Sequence, residues 1–512
     1  MIIRRTGEAV GLCLILALGC LCASAQQNGT SYADANGGPV AMAGVEPSLA
    51  IASAIPKFHA ADPASLQHST TLWRRMKSFY LADWHDSLAA MSKPVEAVEA
   101  EEPMERRGLE APLDSPPFPS SDWAYGGTPT IGAPDTNVYP TMSALESEGR
   151  RARFYGWVEA SANANTSAAS YPLTYGFVPN RAVLNQAMVV YERQLETAQT
   201  SHFDWGFHLS GIFGTDYRYT ISKGYGSGQL LEHNRQYGFD PMWESLDLYF
   251  PVKEGLVVRV GRFPSLPGIE TQAAPANFTL SHSLAFSAAP STETGAVASL
   301  KLTPQWMVQA GISAGHDVAP WTVDRKPALI ACVDYSTRNN HDNFYACANG
   351  INDGRYAYNN VQQFDLTWNH RFGARWHMST EAWYMYEREV PNVEGNVQNP
   401  PPVETGANGA HCAAGQLTCI APEYAWVNYL NREVNAHLYI GFRSDMLDDK
   451  KGQRTGLPGK YTENTIYATK TFGSTVILRP ELRFDHSWDR KGYDGGMARN
   501  QVFFGADLIY KF

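Results

Sequence analysis

From Phe154 to Phe512 apolar and polar residues alternate in short runs, and this period of two constrains the fold more than any other feature of the chain. Trp205, Phe207 and Leu209 alternate with Gly206, His208 and Ser210. Phe364, Leu366 and Trp368 alternate with Gln363, Asp365 and Thr367, and Ile440 and Phe442 with Gly441 and Arg443. Leu478, Leu482 and Phe484 alternate with Arg479, Glu481, Arg483 and Asp485. Successive residues of a strand point to opposite faces, so each run is a strand with one greasy and one polar face. A water-soluble sandwich would alternate in the same way.

The connections separate the two options. The pattern predicts about 14 antiparallel strands, within a range of about 12–16. Pro251–Gly255, Thr303-Pro304, Gly373-Ala374 and Gly473-Ser474 are short connections, and each follows an even-numbered strand. Long ones span 161–182, 215–241, 264–293, 316–360, 388–423, 448–459 and 489–499, and each follows an odd-numbered strand. Tight turns at one end and long loops at the other are the pattern of a transmembrane barrel. Lipid offers no hydrogen bonds, so a sheet crossing it must close on itself. The predicted fold class is therefore all-β, an up-and-down transmembrane β-barrel.

Composition agrees. Only 18% of residues are charged while 12% are aromatic, and past the N-terminus no run reaches the roughly 18 apolar residues of a membrane-spanning helix. A net charge of −10 gives no basic surface for nucleic acid.

Residues 1–25 read as a secretory signal: Arg4 and Arg5, an apolar stretch from Leu12 to Leu21, and Ala23-Ser24-Ala25 as a cleavage site. Residues 26–150 are rich in Ala, Pro, Ser and Gly and read as a flexible periplasmic leader. Near residues 70–88 Leu72, Trp73, Met76, Phe79, Tyr80, Trp84 and Leu88 recur at helical spacing, predicting a short amphipathic helix that rests on a membrane, a partner or the chain's own body. The barrel is assigned to 151–512. Beyond the signal four cysteines remain, and an exported chain with an even number favours disulfides. Their separations favour Cys332–Cys347 and Cys412–Cys419, each expected within one long polar loop outside the cell. No zinc pattern or other metal site is expected.

If alternation sets the facing, the lumen receives Asp204, Asp247, Arg259, Asp365, Glu381, Arg443, Arg479, Glu481, Arg483, Asp485 and Asp507. Pairing Phe250 with Leu256 sets Asp247 opposite Arg259. Such charges either line a pore that orders water and rejects greasy solutes, or form a structural ion-pair ladder. A slip of one residue would turn Arg479, Glu481, Arg483 and Asp485 into lipid. The segment from Pro264 to Thr292, with Ile269-Glu270 and Ser281-His282-Ser283, is a candidate inward-folded constriction. The last strand sets Phe504, Ala506, Leu508, Tyr510 and Phe512 on one face and ends on the terminal residue. Tyr510 and Phe512 resemble the signal by which the barrel-assembly machinery recognises its substrates.

Several stretches carry a family resemblance: PNRAVLNQAMVVYER (Pro179 to Arg193), DWGF (Asp204 to Phe207), NRQYGFDPM (Asn234 to Met242), VVRVGRF (Val257 to Phe263), AGHDVAPW (Ala314 to Trp321), NGINDGRYAYNN (Asn349 to Asn360) and RPELRFDHSWDR (Arg479 to Arg490). From about Phe154 onward the chain resembles the second family of bacterial β-barrel porins, the OmpL-like group. The resemblance implies an outer-membrane channel for small solutes and carries over no binding residues.

No catalytic motif appears. His316-Asp317 and Asp485-His486 read as loop or wall polar residues, and Asn352 and Asp353 lack the twelve-residue calcium-loop pattern. The expectation is a passive outer-membrane channel with periplasmic termini, no catalytic activity and no cofactor. Its partners are outer-membrane lipid, the assembly machinery and small hydrophilic solutes or ions; a homo-oligomer stays open. The alternative is a plugged barrel whose outer loops, with Trp321, Tyr356 and Tyr358, form an adhesive or receptor surface.

Overall fold

The computed structural model describes residues 71–91, 141, 144 and 152–512, apart from 170–174, 194, 197–200, 304, 339–340, 374, 394–408, 436 and 474. The signal segment and most of the expected leader lie outside the described residues. A helix, α1, spans Leu72–Met91. The first eight strands are β1 Ala152–Asn165, β2 Ala182–Arg193, β3 Asp204–Gly214, β4 Gly238–Phe250, β5 Leu256–Pro264, β6 Thr292–Lys301, β7 Trp306–His316 and β8 Ala328–Ser336. The rest are β9 Asp342–Ile351, β10 Gln362–Arg371, β11 Trp376–Pro391, β12 Thr418–Asn435, β13 Leu438–Asp449, β14 Gly459–Phe472, β15 Val476–Ser487 and β16 Asn500–Lys511. Among the described residues no helix is long and apolar enough to cross a membrane.

Every strand pairs antiparallel with its sequence neighbours, and β1 pairs with β16, so the sheet is a closed barrel with no free edge. Phe512 exchanges backbone hydrogen bonds with Gly156 at this seam, 2.9 and 3.1 Å long. Gly156 is required there: a Cβ would sit 2.1 Å from the Met188 carbonyl oxygen and 2.7 Å from the Phe512 ring.

The barrel has 16 strands where the sequence pattern suggests about 14. The additional hairpin, β8–β9, lies inside what reads as one long connection, 316–360. Its signal is weak because both faces carry apolar residues: Ile330 and Cys332 point in, while Leu329 and Val333 point out. An omitted hairpin adds two strands, so the alternation of short and long connections survives. Cys332 and Cys347 are therefore not loop residues. They stand directly opposite one another across β8 and β9, on the inner face, and are disulfide-bonded. The second disulfide joins Cys412 in the β11–β12 connection to Cys419, which lies in β12 rather than in the loop.

The outer face is what lipid selects. Leu209, Leu246, Leu366, Ile466 and Leu482 form its exposed middle band. Exposed aromatics flank it, with Phe372, Trp376 and Tyr510 toward the short turns and Phe213, Phe239, Tyr424 and Trp488 toward the long loops.

Candidate functional site

Asp204, Asp247, Arg259, Asp365, Glu381, Arg443, Arg479, Glu481, Arg483, Asp485 and Asp507 are all buried on the inner face. Their neighbours in the strands, such as Trp205, Leu246, Val260, Leu482 and Leu508, are exposed on the outer face. The β4–β5 hairpin pairs Phe250 with Leu256 and Asp247 with Arg259, the register read from the sequence. Arg259 Nε donates to Asp247 Oδ1 at 2.6 Å and Nη2 to Oδ2 at 3.0 Å, a bidentate pair. Asp204 accepts from Arg193 at 3.1 Å.

Most of the other charges are occupied by a single segment. The β5–β6 connection, residues 265–291, folds into the barrel and lies along the inner wall of β11–β15. Three arginines hold its carbonyls. Arg479 donates to Ala274 O at 2.7 Å and Asn277 O at 2.8 Å. Arg443 donates to Ser281 O at 2.5 Å and Thr279 Oγ1 at 2.9 Å, and Arg483 to His282 O at 2.7 Å. Carboxylates take its N–H groups: Glu381 that of Ile269 (2.9 Å), Glu481 that of Ser281 (3.2 Å) and Asp445 that of Leu284 (3.0 Å). Thr469 donates to Phe278 O at 2.6 Å, and Gln186 on β2 to Gln272 O at 2.9 Å. An irregular segment leaves many backbone groups unpaired, and a charged wall is how a buried one is satisfied.

The arginines are themselves neutralised. Arg479 pairs with Glu159 at 2.9 Å and with Asp507, Arg443 with Glu463 at 2.9 Å, and Arg483 with Asp485 at 2.8 Å. Alternation could have found Glu159 and Glu463, which follow the inward parity of β1 and β14. Glu270, which accepts from Ser283 N at 3.1 Å and from the Tyr429 hydroxyl, sits in the aperiodic segment and carries no such signal.

A second connection, 215–237, also tucks inward. Arg262 donates to Thr220 O (2.6 Å) and Ser222 Oγ (2.9 Å) and pairs with Asp240 at 2.9 Å. Tyr217, Ile221 and Leu230 of this connection pack on inward Met188, Ile212 and Met242. Beside them Asp216 accepts from Gln186 at 3.0 Å, and burial lifts its carboxyl to about 6 against the pull of that bond.

On β6–β10 the inner face carries more hydroxyls and amides: Ser299, Gln309, Asn343, Asn349, Thr367 and Asn369 are buried there with Lys301, Asp334 and Asp365, beside the Cys332–Cys347 bridge. Asn349 donates to Ser265 Oγ of the inserted segment at 2.9 Å. Thr367 Oγ1 and Asn369 Oδ1 have no protein hydrogen-bond partner, nor do Ser161 Oγ and Ser210 Oγ on the inner face of β1 and β3. Among the described residues no cluster of His, Cys, Asp or Glu could hold a metal ion.

A closed barrel with a greasy outside, a polar inside and a loop folded in along its inner wall defines an outer-membrane channel of the porin class. The model of the family described as "Putative beta-barrel porin-2, OmpL-like" matches residues 151–512, and the chain belongs to that family. Among solved structures it is similar to an anion-selective porin from Comamonas acidovorans, at 11% identity and a TM-score of 0.46, over 70% of this chain and 99% of that one. It is also similar to the outer-membrane channel DcaP of Acinetobacter baumannii, at 12% identity and a TM-score of 0.44, over 72% and 99%. OmpT of Vibrio cholerae matches at 11% identity and a TM-score of 0.40, over 72% and 99%. No curated protein matches the chain. The adhesive reading of the loops finds no support in the family or the fold: of the aromatics it named, Trp321 is exposed, but Tyr358 is buried with the Lys223 ammonium over its ring at 5.3 Å.

Proposed function

We propose that the barrel passes small hydrophilic solutes or ions by passive diffusion, through a narrow, water-filled lumen. The path runs between the inserted segment 265–291 and the inner wall of β6–β10, where hydroxyls and amides such as Thr367 and Asn369 stand beside Lys301, Asp334 and Asp365. The observation that carries this reading is that polar atoms on the inner face lack protein partners, among them Ser161 Oγ, Ser210 Oγ, Thr367 Oγ1 and Asn369 Oδ1. Buried polar atoms are almost always satisfied, so these four point to water in the lumen. The paired charges of β11–β16 then act mainly by holding the segment, and Asp204, Asp247 and Arg259 colour the short-turn mouth. The long loops face outside the cell and both termini lie in the periplasm, where Tyr510 and Phe512 are offered to the assembly machinery.

Liposome swelling tests this with sugars of increasing size. Vesicles carrying the refolded protein should admit the smallest polyols and exclude oligosaccharides. Vesicles that swell no faster than protein-free ones in every solute would remove the diffusion reading while leaving the fold intact.

A further inference from the structure

Helix α1 docks on the barrel at the short-turn rim. Tyr80 stacks on Tyr510 with ring centroids 6.1 Å apart, and their hydroxyls are hydrogen-bonded at 2.5 Å. Trp84 stacks on Phe472 at 6.1 Å. Thr475, in the β14–β15 turn, donates to Asp83 at 3.3 Å. Tyr510 and Phe472 follow the outward parity of β16 and β14, so the helix lies beside the lipid-facing surface and not under the lumen.

At 100° per residue, Phe79 and Asp83 form the buried stripe. Trp73, Lys77, Leu81, Trp84 and Arg74 fall together on the other side, and all are exposed. Two tryptophans and a leucine with two flanking cations do not suit water. They do suit the boundary between acyl chains and phosphate headgroups, where indoles settle and long cationic side chains reach the phosphates.

We propose that α1 is an interfacial anchor, its Trp73/Leu81/Trp84 face seated in the phospholipid leaflet at the short-turn rim and Arg74 and Lys77 on its headgroups. The occupant is lipid because the helix meets the barrel's outward aromatic surface through the Tyr80–Tyr510 and Trp84–Phe472 stacks. This rests on the barrel spanning the membrane.

The test uses residues 26–512, whose four native cysteines are paired as Cys332–Cys347 and Cys412–Cys419. An environment-sensitive fluorophore is placed at Leu81→Cys, with Leu482→Cys as a mid-barrel reference and Ser78→Cys on the flank of the helix. Each is refolded into phosphatidylethanolamine/phosphatidylglycerol vesicles, some with phospholipid brominated near the carbonyl end of the chains. The proposal expects brominated lipid to cause a loss of fluorescence at 81 and a smaller one at 78, with 81 shielded from aqueous iodide. Quenching at 482 but none at 81, with iodide reaching 81, overturns the anchor and leaves the barrel's placement standing. A probe at 81 shielded from both quenchers would mean that protein covers the face, a second copy included, and also overturns it. Quenching at neither 482 nor 81 overturns the membrane placement together with the anchor. In the Leu81→Cys background Trp73→Glu should weaken the lipid quenching and Trp73→Phe should preserve it.

Discussion

Replacing Arg479 by Ala tests whether the wall charges hold the inserted segment. The guanidinium donates to Ala274 O at 2.7 Å and Asn277 O at 2.8 Å while pairing with Glu159 and Asp507. Hydrogen bonds from a charged group contribute roughly 1.5–3 kcal/mol each, so the two carbonyl bonds together tether residues 274–277 by about 3–6 kcal/mol. At the lower figure, losing them makes excursions of that stretch roughly a hundred times more frequent. Glu159 and Asp507 lose their counter-charge as well, and a wet lumen lets water reach them. The backbone ladder of β15 with β14 and β16 does not depend on this side chain, so the barrel should still form. The assay is single-channel recording with a heat-modifiability gel as the folding control. Arg479→Ala should fold, conduct more and flicker more. Arg479→Lys, which keeps the charge but cannot serve both carbonyls and both acids with one planar fork, should lie between. A folded Arg479→Ala barrel with unchanged conductance and noise would refute the tether.

Arg259→Ala frees the Asp247 carboxylate at the short-turn mouth, and reversal potentials in a salt gradient should move toward cation preference. Opening the Cys332–Cys347 bridge, which closes a 15-residue separation, should lower unfolding stability by about 3 kcal/mol in a urea titration while the folded barrel still conducts, because the β8–β9 ladder remains. Asp216 keeps its proton up to about pH 6 in the fold but loses it near 4 when unfolded, so its contribution to stability falls as pH rises through that window. Asp216→Asn should abolish that part of the pH dependence and raise the melting temperature at neutral pH relative to the parent. Gly156→Val puts side-chain atoms onto the Met188 carbonyl and the Phe512 ring, and should block closure of β1 on β16, read as loss of the heat-modifiable band.

The sequence carried the barrel because a lipid-facing outside and a polar inside impose opposite demands on alternate residues, and strands such as Arg479–Asp485 meet both demands plainly. It carried the facing of the charged residues for the same reason. It did not carry β8–β9, where Ile330 and Cys332 face inward and erase the contrast between faces. Nor could it show what the charges hold. Pairs such as Arg443–Glu463 are read from parity once the register is known. The bonds from Arg443, Arg479 and Arg483 to carbonyls of 277–282 join residues 162 to 202 positions apart through an aperiodic segment. Helix α1 was readable as an amphipathic element from its spacing. Its seat on Tyr510 and Phe472 was not, because one stripe of aromatics serves equally for a membrane, a partner or the chain's own rim.

A sealed cylinder that is greasy outside and wet within carries ions, and planar-bilayer recording of the refolded, detergent-purified protein reads that current. Insertion should give discrete, uniform current steps, small in size because the 265–291 segment narrows the lumen. A barrel that inserts and folds, yet never carries a step of current above the bare membrane at any salt concentration, would contradict it.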